Sequence, residues 1–224
     1  MPMEAQPLKH KLSLHKSSIA GAPAYSGTLN GRPVVTIVTG MGTKLATEGT
    51  TRLLDAVTVE RVVVVGITGA VENQTPIGTL ILPEVVVNGA TGSEHRPAPL
   101  GSGTPSGKMW TTDVLITDPD EIAGLRAQGV VSLDMETAAI AQTCEERGIP
   151  WSVFRVISDR ATDGSVDQEV FELSNQDGTP RPGAVAKYFL VHPGRIPTMM
   201  KMAKGARLAT HAAADAAIAA CSEQ

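Results

Sequence analysis

Acidic residues follow two apolar segments of this sequence, at positions where they could act on a ligand. Asp134 and Glu136 come after one such segment, and Ser158-Asp159 comes directly after another. In a set of this kind, one carboxyl group can donate a proton while another holds a substrate. The same residue types also suit the start of a helix, where they cap it or complement its dipole. Both interpretations remain open from the local sequence.

Glycine-containing segments follow two further β-branched runs. Gly40-Met41-Gly42 ends one run, and Gly66-Ile67-Thr68-Gly69 follows four consecutive valines. Glycine lets a backbone approach a ligand closely, because it has no side chain. Either segment could equally be a plain turn at the end of a strand. Taken with the two acidic segments, they make four strand ends that carry residues suited to binding or chemistry.

The elements that must position these residues alternate between strands and helices. We expect strands over 33–39, 62–65, 79–87, 130–134 and 151–157, helices over 43–54, 119–127, 136–147 and 195–221, and irregular chain over 88–108 and 162–183. This alternation predicts an α/β domain with right-handed crossovers, and Thr43 is the expected N-cap of the first helix. Ligands of such sheets gather at the carboxyl ends of the strands, so we expect the four strand ends to meet in one crevice.

Several familiar site types are excluded by spacing. A dinucleotide fingerprint needs a third glycine where Leu45 stands, and an acid after the next strand, whereas Glu60 precedes it. The sequence contains neither a P-loop motif nor a Gly-x-Ser-x-Gly nucleophile motif. Cysteines and histidines lack metal-ligand spacing, and His95, in a Gly/Pro-rich loop, is expected to be solvated. We therefore expect no metal and no cofactor.

Length and composition set the broad class. The 224 residues are 42% hydrophobic and 19% charged, which predicts one globular domain over 1–224. A net charge of −4 and an aromatic content of 3% argue against a nucleic-acid partner. The first residues have no apolar signal segment, and the longest apolar run is about half a membrane span. With only two cysteines, the chain fits the cytoplasm.

Taken together, the motifs resemble one family. Leu133 to Ala141 (LDMETAAIA) and Phe154 to Ala161 (FRVISDRA) are similar to the Met-Glu-x-Ala-Ala and Arg-x-Ile-Ser-Asp motifs of the purine nucleoside phosphorylase and nucleosidase superfamily. Gly66 to Ala70, followed by Ile77 to Leu80, is similar to its central glycine turn, and Pro2 to Ala5 to its first ligand-side loop. Order and spacing hold from Met1 to about Asp163. Within the superfamily, the methylthioadenosine/S-adenosylhomocysteine nucleosidases are the nearest likeness.

The resemblance implies a mixed, mostly parallel central sheet flanked by helices, and cleavage of the N-glycosidic bond of a purine nucleoside. By match, Asp159 protonates N7 of the leaving base and Glu4 orients the attacking water. Glu136 grips the ribose hydroxyls. The remaining matched substrate-binding positions are Met135 on the sugar face, Thr68, Gly69 and Ser158 as polar support, Met41 at the 5′ substituent, and Leu115 and Ile116 over the base. A homodimer is also implied.

The sequence departs from the family at several points. The family's first strand precedes the motif that matches Glu4, so the resemblance implies either that the sheet lacks an edge here or that translation starts further upstream. Leu115 stands where the nucleosidases usually carry an aromatic residue, and the chain beyond 164 does not match the common members. Phosphorolytic members carry an arginine before the central turn, where this chain has Val64-Val65. Water is therefore the favoured nucleophile, with a phosphorylase or a non-catalytic nucleoside-binding protein as alternatives.

Overall fold

The computed structural model describes residues 1–162, 164 and 166–223. Its helices are α1 (Pro2–Lys11), α2 (Thr43–Ala56), α3 (Pro119–Ala127), α4 (Thr137–Glu145), α5 (Gln168–Phe171), α6 (Pro182–Val191) and α7 (Ile196–Ser222), with a 3-10 turn at Pro193–Arg195. Its strands are β1 (His15–Ile19), β2 (Ala22–Leu29), β3 (Arg32–Ile37), β4 (Val62–Ala70), β5 (Leu80–Ile81), β6 (Val85–Asn88), β7 (Glu94–His95), β8 (Lys108–Thr111), β9 (Val130–Asp134) and β10 (Trp151–Arg160).

The strands form two sheets. β1, β2 and β3 make an antiparallel sheet in that order, and the larger sheet has the order β5-β10-β4-β9-β8-β6-β7. In the larger sheet β10 runs parallel to β4, and β8 runs parallel to both β6 and β9, while the other pairs are antiparallel. The predicted α/β class with a mixed sheet is confirmed.

Helices cover both faces of β10 and of β4, which lies between β10 and β9 and is called the central strand below. On one face, Val156 of β10 packs with Ala209 and Ala213 of α7, whose small side chains let that helix lie close to the sheet. On the other face, Val64 of β4 and Ile157 of β10 join a core cluster with residues of α2 and α4. Neighbouring residues of a strand point to opposite faces, so this continuous apolar run is buried on both sides. Among the described residues, no helix is both long enough and apolar enough to cross a membrane.

The central strand is longer than predicted. Gly66-Ile67-Thr68-Gly69, expected to end the strand, continues β4 to Ala70, because these residues pair in register with β10. The predicted strand 79–87 was also wrong: Pro83, which cannot donate to a ladder, separates β5 from β6, and the two strands occupy distant places in the sheet. Helix 119–127 and strand 130–134 are confirmed.

The N-terminal segment is helical, contrary to the loop expected over Pro2 to Ala5. Pro2 occupies the first helical turn, where its missing N–H costs nothing, and the Glu4 carboxylate reaches back to the amino group of Met1. This capping box begins α1 and holds Glu4 in its first turn. Of the segment 162–183, expected to be irregular, the described part contains α5 and the start of α6, while 163 and 165 lie outside the described residues.

Candidate active site

Arg155 lies at the centre of a buried cluster of charged side chains. It lies in the middle of β10, and its side chain is 5% exposed. The guanidinium donates to Asp134 at 2.8 Å and to Glu136 at 3.0 Å, and it lies 3.4 Å from Glu4. Burial alone would lower the pKa of Arg155, but the three carboxylates outweigh it and raise that pKa. A permanently charged arginine therefore holds three acidic side chains, from three different elements, in one place.

Glu4 is held against the central strand. Its Oε1 accepts a hydrogen bond from the backbone N–H of Ile67 at 2.9 Å, and its Oε2 accepts from the amino group of Met1. The strand permits this approach because Gly66 has no side chain: a β-carbon there would lie 2.5 Å from Arg155 and would overlap the Glu4 carboxylate. A glycine within the strand thus makes room for an acid from α1.

Glu136 connects two of the predicted strand ends. It directly precedes α4, and its Oε1 accepts from the backbone N–H of Gly42 at 3.2 Å, on the loop after β3. Burial raises the pKa of Glu136 to about 7, Arg155 opposes that rise, and the neighbouring Asp134 and Glu4 carboxylates add to it. The side chain is 15% exposed, so it retains an opening toward the crevice.

Asp134 differs from Glu136 in its surroundings. Its side chain is 1% exposed, and it accepts hydrogen bonds from the Thr111 hydroxyl at 2.5 Å and from the backbone N–H of Thr137 at 2.9 Å. These bonds fasten the first turn of α4 to β8 and β9. The helix-capping interpretation therefore describes Asp134, whereas Glu136 is turned to the loop that contains Gly42.

Asp159 lies at the end of β10, beside a break in register. The pairing with β4 shifts between Ile157 and Asp159, and the Ser158 hydroxyl donates to Asp159 Oδ1. A β-carbon on Gly69 would lie 3.3 Å from Asp159 Oδ2, so this carboxylate also rests against a glycine of the central strand. Glu4 and Asp159 therefore each contact β4 at a glycine, three residues apart along the strand.

The other predicted site residues differ in burial and in the contacts that hold them. Thr68 is buried and its hydroxyl donates to the carbonyl of Leu133 at 2.7 Å, which ties the ends of β4 and β9 together. The backbone N–H of Met41 donates to the carbonyl of Gln176 at 2.8 Å, and Met41 itself is half-buried. Met135 is half-buried between Asp134 and Glu136. The four predicted strand ends thus come together.

Of the two residues expected to cover the purine base, Ile116 is more buried than Leu115. Ile116 is buried in a cluster that contains Val71 and Ile122, so it fixes the segment to the rest of the molecule. Leu115 is half-buried. Sequence reasoning missed Asp113, two residues earlier, which accepts from the backbone N–H of Thr43 at 2.7 Å and from the Thr43 hydroxyl.

These contacts correct the expectation about the start of α2. Thr43 was expected to cap α2, but it is the first helical residue, and the Asp113 carboxylate from a distant loop satisfies its N–H instead. No local signal marks Asp113 for this task. Arg155 did carry a signal, since it is a charged residue inside an apolar strand, where burial requires a partner.

His95 is buried, although its loop predicted a solvated side chain. Its Nδ1 lies 2.6 Å from Glu145, and its Nε2 lies 3.2 Å from the Ser93 hydroxyl. The Glu145 carboxylate also accepts from the Trp151 indole, so these residues fasten β7 to α4 and β10. Among the described residues, no group of three or more His, Cys, Asp or Glu side chains is placed to hold a metal ion.

Comparison with known proteins identifies the family of this chain. A family model described as the phosphorylase superfamily matches residues 1–105 and 98–191. The 5′-methylthioadenosine/S-adenosylhomocysteine nucleosidase of Tolumonas auensis is 27% identical over 205 residues, which are 77% of this chain and 87% of that protein. The nucleosidase of the same name from Haemophilus influenzae is 27% identical over 71% of this chain and 82% of its own length.

Solved structures show the same fold. The 5′-methylthioadenosine/S-adenosylhomocysteine nucleosidase of Neisseria meningitidis, in complex with methylthio-immucillin-A, superposes with a TM-score of 0.76 at 16% identity. The match covers 100% of this chain and 96% of that one. The futalosine hydrolase of Helicobacter pylori superposes with a TM-score of 0.75 at 14% identity, over 100% of this chain and 95% of that one.

Proposed function

This chain belongs to the phosphorylase superfamily, and we propose that within it the protein hydrolyses the N-glycosidic bond of a purine nucleoside with a 5′ substituent, such as methylthioadenosine or S-adenosylhomocysteine. One observation carries the proposal. Glu4 and Asp159, which are distant in the sequence, rest against Gly66 and Gly69 of one strand, and Glu136 lies beside Glu4 on the same arginine. Three carboxyl groups gathered at the ends of these strands can divide the tasks of acid, base and sugar binding.

Asp159 is the proposed acid. Breaking the bond between ribose and base leaves positive charge on the sugar, and the base departs readily only if it leaves as a neutral molecule. A proton delivered to N7 of the purine achieves this, and the Ser158 hydroxyl, which donates to Asp159 Oδ1, holds the carboxyl group in place for that delivery. Gly69 beneath the carboxylate gives the base room to approach.

Glu4 is the proposed base for water. Arg155 and the N–H of Ile67 hold its Oε1, and the amino group of Met1 contacts its Oε2, so the direction of the carboxylate is fixed before it takes a proton from water. Glu136 is proposed to accept hydrogen bonds from the ribose 2′ and 3′ hydroxyls, with Met135 on the sugar face. Met41 is assigned to the 5′ substituent, Leu115 and Ile116 to the base, and Thr68, Gly69 and Ser158 to the support of these groups.

Water, not phosphate, is the proposed nucleophile. Within the described residues, Arg155 is the arginine that contacts Glu4 and Glu136, and its charge is already shared among three carboxylates. A phosphate dianion placed beside the sugar would be repelled by Glu4 and Glu136, and the arginine between them is already paired. A water molecule meets no such repulsion.

The experiment is product analysis with and without phosphate. Methylthioadenosine, S-adenosylhomocysteine, adenosine and inosine are each incubated with the protein, and free base and sugar are quantified. Free adenine and free sugar should form at the same rate in both buffers. A phosphate requirement with a sugar 1-phosphate product would make the protein a phosphorylase, and saturable nucleoside binding without turnover would make it a binding protein.

We further propose a single domain over 1–224, a homodimer and a cytoplasmic location. The homodimer is supported by an apolar patch on α6 and the start of α7, formed by Leu190, Val191, Ile196 and Met200, of which Leu190 is 84% and Met200 69% exposed. Large exposed apolar patches mark protein interfaces. The cytoplasm is supported by Cys144 and Cys221, which are both free thiols.

A further inference from the structure

Two neighbouring N–H groups at the start of α2 are bound by carboxylates from two different strand ends. The N–H of Gly42 donates to Glu136 Oε1 at 3.2 Å. The next N–H, that of Thr43, donates to Asp113 Oδ1 at 2.7 Å. Glu136 comes from the end of β9 and Asp113 from the end of β8, while both N–H groups belong to the chain that follows β3. Three strand ends are therefore joined at two adjacent peptide groups.

The loop between the two acids has little freedom to move. Gly42 has a φ of +95°, a conformation that glycine adopts readily, and a β-carbon there would lie 3.0 Å from Asp113 Oδ1. The N–H that precedes it, that of Met41, donates to the carbonyl of Gln176 at 2.8 Å. Three successive N–H groups thus have fixed acceptors. A shift on the side of Asp113 is therefore passed on to the N–H that Glu136 accepts.

Asp113 belongs to the segment proposed to cover the base, residues 112–116. The segment begins at Thr112, whose N–H donates to the last carbonyl of β9 at 2.9 Å, and it ends at Ile116, which is buried in the core. Between these anchors, Asp113 is exposed and accepts from both the N–H and the hydroxyl of Thr43. These two bonds fasten the base-covering segment, including Leu115, to the start of α2.

Asp113 also supplies what the start of α2 lacks in its own sequence. The N-cap is Gly42, which has no side chain, and the first turn contains no acidic residue. A carboxylate at the start of a helix is favourable, because it accepts an N–H that has no partner within the helix and it complements the helix dipole. The link between the base-covering segment and α2 is therefore a charge-assisted hydrogen bond, which is stronger than one between neutral groups.

We propose that Asp113 is a positioning residue that couples the base-covering segment to the carboxylate of Glu136, through Gly42-Thr43. Because the assignment of Glu136 to the ribose belongs to the proposed function, the coupling rests on that function. Arg155 binds Glu136 Oε2 at 3.0 Å, so the N–H of Gly42 on Oε1 completes the orientation of the carboxylate. A segment that closes over the base holds this N–H in place. Base and ribose are therefore bound cooperatively, and the intact nucleoside is favoured over either part.

Three variants separate this coupling from ordinary helix capping. Asp113→Ala removes the acceptor of the Thr43 N–H. Asp113→Asn keeps it, because the amide oxygen accepts the N–H and the amide nitrogen can donate to the hydroxyl. Asp118→Ala is the matched control, since the Asp118 carboxylate caps α3 in the same way, by accepting from two backbone N–H groups at 2.9 Å. Both alanine variants lose a helix cap, so they should lose similar thermal stability.

Hydrogen exchange of the Gly42 amide, without ligand, is the readout that needs no turnover. Its acceptor, Glu136, is present in all three variants, so faster exchange reports a loss of position. We expect exchange to speed up at least about tenfold in Asp113→Ala and to stay within about threefold of the wild type in Asp113→Asn and Asp118→Ala. Equal exchange in Asp113→Ala and Asp118→Ala would overturn the proposal, whether or not the protein cleaves nucleosides.

A double-mutant cycle on kcat/KM for methylthioadenosine is the second readout. Asp113→Ala should lower kcat/KM by about 10–100-fold, the usual cost of a misplaced binding group, and Asp113→Asn should lower it much less. Glu136→Gln should then cost at least about fivefold less in the Asp113→Ala background than in the wild type, because the acid is no longer held for the ribose. Additive losses would overturn the coupling.

Failure of the proposed function gives a different result. If the wild type binds methylthioadenosine without cleaving it, the same cycle is measured on the dissociation constant by calorimetry, with the same criterion. Additive losses in a wild type that cleaves nucleosides would overturn the coupling alone. Non-additive losses in binding without any cleavage would support the coupling and overturn the nucleosidase. A wild type that neither binds nor cleaves nucleosides would overturn both.

Discussion

Gly66 lies directly beneath the carboxylate of Glu4, on the strand that the acid from α1 rests against. A β-carbon at Gly66 would overlap this carboxylate and stand 2.5 Å from Arg155. Glu4 bonds at the same place to the N–H of Ile67. Glu4, the proposed general base, can therefore occupy this position only because residue 66 has no β-carbon.

Gly66→Ala should destabilise the protein and displace Glu4. The added methyl group meets a carboxylate and a buried guanidinium that are both held by other bonds, so neither can move without loss. We expect the free energy of unfolding to fall by about 1–3 kcal/mol, the usual range for overpacking a core, and turnover to fall with it. Denaturant unfolding and steady-state kinetics measure the two effects.

Gly124→Ala is the matched control for this substitution. Gly124 lies within α3, and a β-carbon there meets nothing within 4 Å. Alanine is a better helix former than glycine, so this variant should be as stable as the wild type or more stable by up to about 1 kcal/mol. Equal stability changes in the two variants would show that the space above Gly66 is not critical.

Asp159→Asn should remove the proposed acid while preserving its shape. Asparagine still bonds to neighbouring groups, but it cannot deliver a proton to the base, so turnover should fall by roughly 10²–10⁴. Substrate binding, measured by calorimetry, should change much less. Asp215→Asn, at an exposed ion pair with Lys11, serves as the control. An Asp159→Asn variant that keeps more than a tenth of wild-type turnover would remove Asp159 from the mechanism.

Glu136→Gln should affect ribosides more than 2′-deoxyribosides. The glutamine keeps the size of the side chain but loses the charge that strengthens hydrogen bonds from the ribose hydroxyls. A substrate without the 2′ hydroxyl has less of this interaction to lose. The ratio of kcat/KM for the two substrates in variant and wild type measures the effect. Equal losses on both substrates would limit Glu136 to a role at the start of α4.

Glu136 should also make the stability of the protein depend on pH near neutrality. Burial raises the pKa of Glu136 to about 7 from an ordinary value of 4.5. Between pH 4.5 and pH 7, this side chain therefore keeps its proton in the folded protein but has lost it in the unfolded chain. The free energy of unfolding therefore falls as pH rises across this interval, by at most about 3 kcal/mol from this group.

Denaturant unfolding of the wild type and of Glu136→Gln at pH 5, 6, 7 and 8 measures this dependence. The variant lacks the titrating group, so its stability relative to the wild type should increase from pH 5 to pH 7 and then level off. A difference that stays constant over the whole range would contradict the raised pKa.

The apolar patch on α6 and α7 should mediate the homodimer. Leu190→Asp places a charge at its most exposed residue and should convert the dimer to a monomer at micromolar concentration, as measured by light scattering. Leu208→Asp, on α7 outside the patch, is the control and should leave the dimer intact. A wild-type monomer with full activity would rule out the proposed dimer.

The sequence by itself determined the elements whose signals are local. Helix α3 begins after Asp118, whose side chain caps its first turn, and it is followed by the apolar strand β9, so both could be predicted with their limits. The α/β class and the acidic and glycine-containing strand ends could also be predicted, because runs of β-branched residues and glycines carry that information themselves.

The tertiary structure determined the features that depend on contacts between residues distant in the sequence. Gly66 to Ala70 is strand and not turn because β10 pairs with it, and α2 begins at Thr43 because Asp113 from another loop receives its N–H. The grouping of Glu4 and Glu136 on Arg155 has the same origin. A local pattern records the preferences of a few neighbouring residues, whereas ladder hydrogen bonds and buried ion pairs require that distant segments already lie side by side.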